Sequence, residues 1–197
     1  EVDWDRIHEV MNMIYEEVVS NFPYKNIKLR KVEADDIIAV LCEKYHEDED
    51  ILIVSNDKDF QQLQRYPNVL QYSPTKKQFL NCEDPEDFLT YHILKGDSSD
   101  GIPNILSEDD VFVDPEKRQK SCGNKRISEM KENLSEWTST ENWERNQVLI
   151  DFNMIPDIFR ESIYPEYEKD PIGIRSNILN YFIDKKLKNL MVNIEEF

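Results

Sequence analysis

The chain has 197 residues, enough for one large domain or two small ones. Hydrophobic residues make up 39%, and no apolar run approaches the roughly 20 residues of a membrane helix, so a soluble chain is expected. Twenty-four basic against 41 acidic residues give a net charge of −17, which by itself argues against a nucleic-acid partner. A site rich in carboxylates could account for part of that charge, and a local basic patch could still touch phosphate. Cys42, Cys82 and Cys122 are odd in number and form no CxxC pair, as expected of free thiols in a reducing compartment. Nothing at the start has the pattern of a signal peptide, and the first residue is Glu1 rather than Met, which predicts a processed chain or a fragment.

Trp4, Ile7, Met11, Ile14 and Val18 recur at helical spacing and predict an amphipathic helix over 3–20, capped by Asp3 and ended at Asn21-Phe22-Pro23. His8 on it has no ligand partner nearby and reads as surface. Residues 27–32 (IKLRKV) alternate weakly and predict a short strand. A helix follows over 32–45, with Ile37, Ile38, Leu41, Cys42 and Tyr45 on one face and Cys42 in the core. Glu33, Asp35 and Asp36 stand at its start. Acidic residues suit a first helical turn, but three within four residues exceed what capping requires. The HEDED run at 46–50 reads as a solvated loop.

Ile51-Leu52-Ile53-Val54 is a β-branched-rich apolar run and predicts a strand buried on both faces. It ends at Ser55-Asn56, and Asp57 and Asp59 follow. A helix cap would explain one of these carboxylates. Two of them at the carboxyl end of an α/β strand, where ligand sites lie, suit a divalent cation. The order strand, helix, strand predicts a parallel crossover, which would bring the Glu33–Asp36 cluster and the Asp57/Asp59 pair to one sheet edge.

Residues 60–66 predict a short helix, and 69–72 with 78–80 a hairpin. Pro85 to Lys95 is a helix with Pro in its first turn and a structural His92. It stops at Gly96 in KGDSSDGIP, where Asp97 and Asp100 sit in a turn that alone would be an ordinary Asp-rich turn. Residues 117–126 (KRQKSCGNKR) contain Arg118, Lys120, Lys125 and Arg126 with no acidic residue. A helix starting near Gly123 would offer backbone N–H groups to phosphate, and a solubilising loop is the alternative. The last third reads as helical, with a break at Pro156 and a terminal helix over 174–190.

Together VEADD, SNDKDF and KGDSSDGIP resemble the 5′-nuclease (flap endonuclease) superfamily, within it the ribonuclease H group of T-even-type phages. NQVLIDFNMIP and the closing NIEEF also resemble that group, so the likeness runs through the whole chain. It implies an α/β fold, a mostly parallel sheet with flanking helices in a PIN-like nuclease core truncated at its N-terminus. A helical C-terminal domain with a degraded helix–hairpin–helix element at Gly123–Ile127 would follow. The division expected is 1–95 for the core and 96–197 for the DNA-binding domain. The implied activity is 5′–3′ exonuclease and flap cleavage that removes RNA primers and adjacent DNA during replication. Two Mg²⁺ ions, or Mn²⁺ in their place, would activate a water and stabilise the leaving oxygen.

By motif match, Glu33, Asp35, Asp57, Asp59 and Asp100 would bind metal directly or through water, with Asp36 and Asp97 close by. Asp35, Asp57 and Asp59 are the candidate catalytic residues. Gly123, Lys125, Arg126, Lys120 and Arg118 would contact DNA backbone. The implied partners are DNA and RNA–DNA duplexes with a 5′ end or flap, with a sliding clamp and a single-strand-binding protein beside them. A monomer in the host cytoplasm is expected, with no membrane association. Two departures stand against the family pattern. The initial strand with its Asp and the basic arch do not precede Glu1, and an insertion (LSEDDVFVDPEKRQ) separates KGDSSDGIP from the hairpin element. The alternative is a non-catalytic DNA-binding module. An aspartate-nucleophile phosphatase reading of Asp57-Lys58-Asp59 fails at Gln61, and no GxGxxG, Walker, HExxH or GxSxG sequence is found.

Overall fold

The computed structural model describes residues 2–197, which divide into two compact units. One comprises the chain up to Arg30 together with Glu161–Phe197, and the other Lys31–Arg160. In the first, α1 (Trp4–Asn21) is capped as expected, with Asp3 Oδ1 accepting from Arg6 N at 3.0 Å. His8 lies on its exposed surface. Phe22 then turns inward onto Ile178 and Phe182 of α7 (Arg175–Asp184). The terminal helix expected over 174–190 is broken. Lys186 adopts a φ of 57°, and a separate short helix, Lys188–Met191, follows. The break has a packing reason, since it returns Leu187, Met191, Ile194 and Phe197 to the Phe22–Ile178–Phe182 cluster.

The second unit starts without the strand expected at 27–32. Among the described residues that segment pairs with no neighbouring strand, and Lys31, at φ 64°, takes it out of the extended region. Three half-buried apolar residues, Ile27, Leu29 and Val32, set among three cations bury too little to hold an unpaired strand. The chain enters α2 (Ala34–Tyr45) directly, anchored by buried Ile37, Ala39, Val40 and Cys42. The parallel pair lies further along, between β1 (Ile51–Val54) and β2 (Val69–Ser73), with a 3₁₀ segment, Asp59–Arg65, crossing between them. β3 (Gln78–Leu80) returns antiparallel as the second arm of the hairpin. The three-stranded sheet, in order β1-β2-β3, is therefore mixed rather than mostly parallel.

β1 is also buried on one face only. Ile53 is 5% exposed while Leu52 and Val54 are 52% and 61% exposed. Alternation along the strand sends Ile53, Val69, Gln71 and Ser73 inward.

Beyond the sheet, α3 (Pro85–Lys95), α4 (Asn124–Glu132) and α5 (Glu141–Ile150) enclose one core of Ile93, Leu94, Ile102, Ile105, Cys122, Ile127, Met130, Trp143 and Ile150. The division expected at residue 95/96 runs through this core, whose side chains come from both sides of it. Two buried amides tie it down. Asn146 donates to the carbonyls of Ile93 and Pro103, both at 2.8 Å. Gln62 donates to Ile150 O at 3.0 Å and accepts from Phe152 N at 3.1 Å. Backbone groups buried outside regular elements need such partners.

Candidate metal centre

At the carboxyl end of β1 the loop is held from β2. Gln71 donates to Ser55 O at 3.1 Å and to Asp57 O at 2.6 Å, and Ser73 Oγ donates to Asn56 Oδ1 at 2.6 Å. One Asp57 oxygen accepts Asp59 N at 3.0 Å, the local cap anticipated for a single carboxylate. At α2 the carboxylates have local work as well. Asp36 Oδ2 accepts Glu33 N at 3.2 Å in a reciprocal capping box with the Glu33 side chain, and Asp35 Oδ1 accepts Asp36 N at 3.0 Å, so all three carboxylates also serve the helix start.

The third approach is set by Gly96, at φ 67°. A Cβ there would lie 2.5 Å from the Ile102 carbonyl oxygen, so only glycine permits the close return of the chain that seats Asp97 and Asp100.

These three approaches converge. Glu33, Asp35, Asp57, Asp59 and Asp100 line one cleft of about 770 Å³, floored by Ile38, Val54, Phe60 and Ile102. The expected meeting of the two acidic clusters thus occurs even though the crossover strand does not. Asp36 and Asp97 do not line the cleft. The electrostatics follow from crowding. Burial, then the neighbouring Asp57, pushes the Asp59 carboxyl up to about 7. Burial also raises Asp35, with Asp36 and Asp57 adding to it. Asp97 behaves oppositely. Its burial is outweighed by Lys58 and Ser99, which hold it well below the usual carboxylate range.

Two residues of this region escaped the motif reading. Lys58, between the two aspartates, pairs with Asp97 Oδ2 at 2.6 Å. His92 is buried with Nδ1 3.3 Å from Asp59 Oδ1 and Nε2 3.2 Å from Asp97 Oδ2, so it bridges carboxylates from two elements. Burial, then Lys58, lowers its pKa. In the sequence its only mark is a histidine five residues before an aspartate across a helix stop, which is no recognised spacing.

The basic stretch takes the form of a loop leading into a helix. Gly123 is the N-cap of α4, with no side chain capping it, and Arg118, Lys120, Lys125 and Arg126 are all exposed. Arg126 lies 3.4 Å from Glu129, while Lys117 is engaged by Glu108 and Asp110.

An α/β unit with carboxylates gathered at a strand's carboxyl end, next to a helical segment, is an arrangement suited to phosphodiester chemistry. The chain belongs to the 5′-nuclease family, hydrolases that act on phosphodiester bonds. Residues 84–197 match the family described as T4 RNase H, C terminal, and residues 5–89 the 5′-3′ exonuclease N-terminal resolvase-like domain. Among individual proteins, it is 32% identical to the ribonuclease H of Enterobacteria phage T4, over 99% of this chain and 68% of that protein. It is 38% identical to a 5′-3′ exonuclease of Buchnera aphidicola subsp. Schizaphis graminum, over 45% of this chain and 33% of that one. The fold is similar to a T5 protein co-crystallised with metal ions, with TM-score 0.57 and 21% identity over 83% of this chain and 71% of that one. A mutant T5 5′-exonuclease gives 0.56 and 22% over 82% and 76%.

Proposed function

We propose that this chain is a metal-dependent 5′–3′ exonuclease and flap nuclease that removes RNA primers and adjacent DNA. The observation that carries the reading is the convergence of Glu33, Asp35, Asp57, Asp59 and Asp100 on one cleft. The donor set fits a divalent cation, being composed of carboxylate oxygens with one of them, Asp59 Oδ1, buried without a hydrogen-bond partner. Bound there, a pair of Mg²⁺ or Mn²⁺ ions would supply Lewis-acid activation of water and neutralise charge on the scissile phosphate. Asp35, Asp57 and Asp59 would hold the ions, with Glu33 and Asp100 from the same cleft lining beside them. Asp36 orders the α2 start, and Asp97 orders Lys58 and His92. Arg118, Lys120, Lys125, Arg126 and the free N–H groups after Gly123 would grip duplex backbone without reading sequence. In functional terms residues 1–95 are assigned to the nuclease core and 96–197 to duplex binding. The family reading also supports a replication setting in a host cytoplasm, beside a sliding clamp and a single-strand-binding protein.

The test uses flap and RNA–DNA substrates with Mg²⁺. Asp57→Asn and Asp35→Asn should each abolish cleavage while flap binding stays within about threefold, a change of under about 1 kcal/mol. Full activity in both variants would refute the metal assignment. Tight flap binding by the unaltered chain with no cleavage in either metal would instead favour a non-catalytic binding module.

A further inference from the structure

Two buried atoms beside the cleft, Asp59 Oδ1 and His92 Nδ1, lack a hydrogen-bond partner and meet each other at 3.3 Å. The far side of the imidazole decides what Nδ1 presents. Nε2 lies 3.2 Å from Asp97 Oδ2, and Asp97 is itself held by Lys58 at 2.6 Å, Ser99 N at 2.9 Å and Ser99 Oγ at 2.5 Å. A carboxylate so surrounded by donors is ionised and can only accept, so the ring proton belongs on Nε2. Nδ1 then turns a lone pair toward a carboxylate oxygen. Two acceptors facing each other away from water repel unless a proton on the Asp59 carboxyl or a cation lies between them, and once that proton is lost a metal ion is the group that can take its place. A carboxylate that accepts one ring N–H while the other ring nitrogen points at an acidic oxygen is the arrangement that orients metal-ligating histidines.

We propose that Asp59 and His92 form a mixed oxygen–nitrogen ligand pair for a divalent transition-metal cation, with Asp97 orienting the imidazole rather than ligating. The inference rests on the metal-dependent reading and goes beyond it. The carboxylates of the cleft suit Mg²⁺, whereas an added imidazole moves the preference of this position toward Mn²⁺, Co²⁺ or Zn²⁺. His92 is 4% exposed and outside the cleft lining, so it meets such an ion from beneath. Lys58, paired with Asp97 Oδ2 at 2.6 Å, keeps Asp97 charged.

The probe is Mn²⁺ alone, bound below one equivalent to the unaltered chain, with pulsed electron paramagnetic resonance reading nitrogen directly. The expected spectrum shows ¹⁴N coupling to Mn²⁺, and His92→Asn abolishes it with at least a tenfold loss of affinity. Asp97→Asn, which removes the orienting charge, should weaken Mn²⁺ by about 10–100-fold. Mn²⁺ bound without nitrogen coupling would overturn the inference and leave the carboxylate site and the nuclease reading standing. Coupling that persists in His92→Asn would also overturn it, by assigning the nitrogen to another residue. No Mn²⁺ binding at all would overturn both readings. The decisive spectrum is that of the unaltered chain, so a variant that fails to fold does not rescue the proposal.

Discussion

Replacing Asp59 with Asn should make the metal-free chain more stable at pH 8 while removing its stabilisation by divalent cations. The folded chain holds the Asp59 carboxyl at about 7 against an ordinary 3.8, chiefly through burial and secondly through Asp57. Between those two values the native state binds more protons than the unfolded state, so its stability falls as pH rises from about 4 to about 7 and is level above that. Asn does not ionise and escapes the loss. Its amide also offers an N–H where the Asp59 Oδ1–His92 Nδ1 pair now sets two acceptors 3.3 Å apart. The ceiling on the pH-dependent part is about 4 kcal/mol, at about 1.4 kcal/mol per pH unit. Solvent reaches this side chain, which is 17% exposed, and relaxation lowers the figure further, so about 2 kcal/mol is expected. For a chain of this size that is about 4–8 °C in melting temperature. The assay is thermal unfolding in EDTA at pH 4 and pH 8, repeated with Mn²⁺. The variant should match the parent at pH 4, exceed it at pH 8, and gain less from Mn²⁺. A variant no more stable than the parent at pH 8 in EDTA, or equally stabilised at both pH values, would refute the reasoning.

Two further predictions concern the frame and the basic helix. Gly96→Ala should cost about 3 kcal/mol or more in urea unfolding, because a Cβ meets the backbone of Ile102 and Pro103 at positive φ. Gly101→Ala, at φ 75° but with nothing within 4 Å, should cost only about 1 kcal/mol. Equal costs would deny that close approach, rather than φ alone, requires glycine at 96. Reversing the charge of Lys125 and Arg126 together should weaken duplex binding and lower the slope of log affinity against log salt by about 1 for each lost phosphate contact. An unchanged slope would return this stretch to a solvated loop.

Local chemistry was legible in the sequence wherever a residue's role depends on its neighbours in the chain. The Asp3 cap, the stop at Gly96 and the hairpin over 69–80 are settled within a few residues, and each was readable from spacing and composition, whereas the sequence left a helix start at Gly123 and a solvated loop both open. The acidic clusters were readable too, because β1 ends where its apolar run ends. What depends on a distant partner was not legible. Residues 27–32 alternate like a strand but pair with none among the described residues, and the apolar run of β1 suggested burial on two faces where packing covers one. The terminal helix breaks at Lys186 because Phe22, more than 150 residues earlier, provides the surface onto which its end folds. His92 shows the same limit at the site. Its sequence context is an ordinary amphipathic helix, and only the return of the chain through Gly96, together with the crossing from β1, places Asp97 on one ring nitrogen and Asp59 on the other. Charge and periodicity along the chain determined which residues could serve a metal-dependent nuclease. Tertiary packing decided which of them meet, because burial and electrostatic crowding exist only between segments brought together from afar.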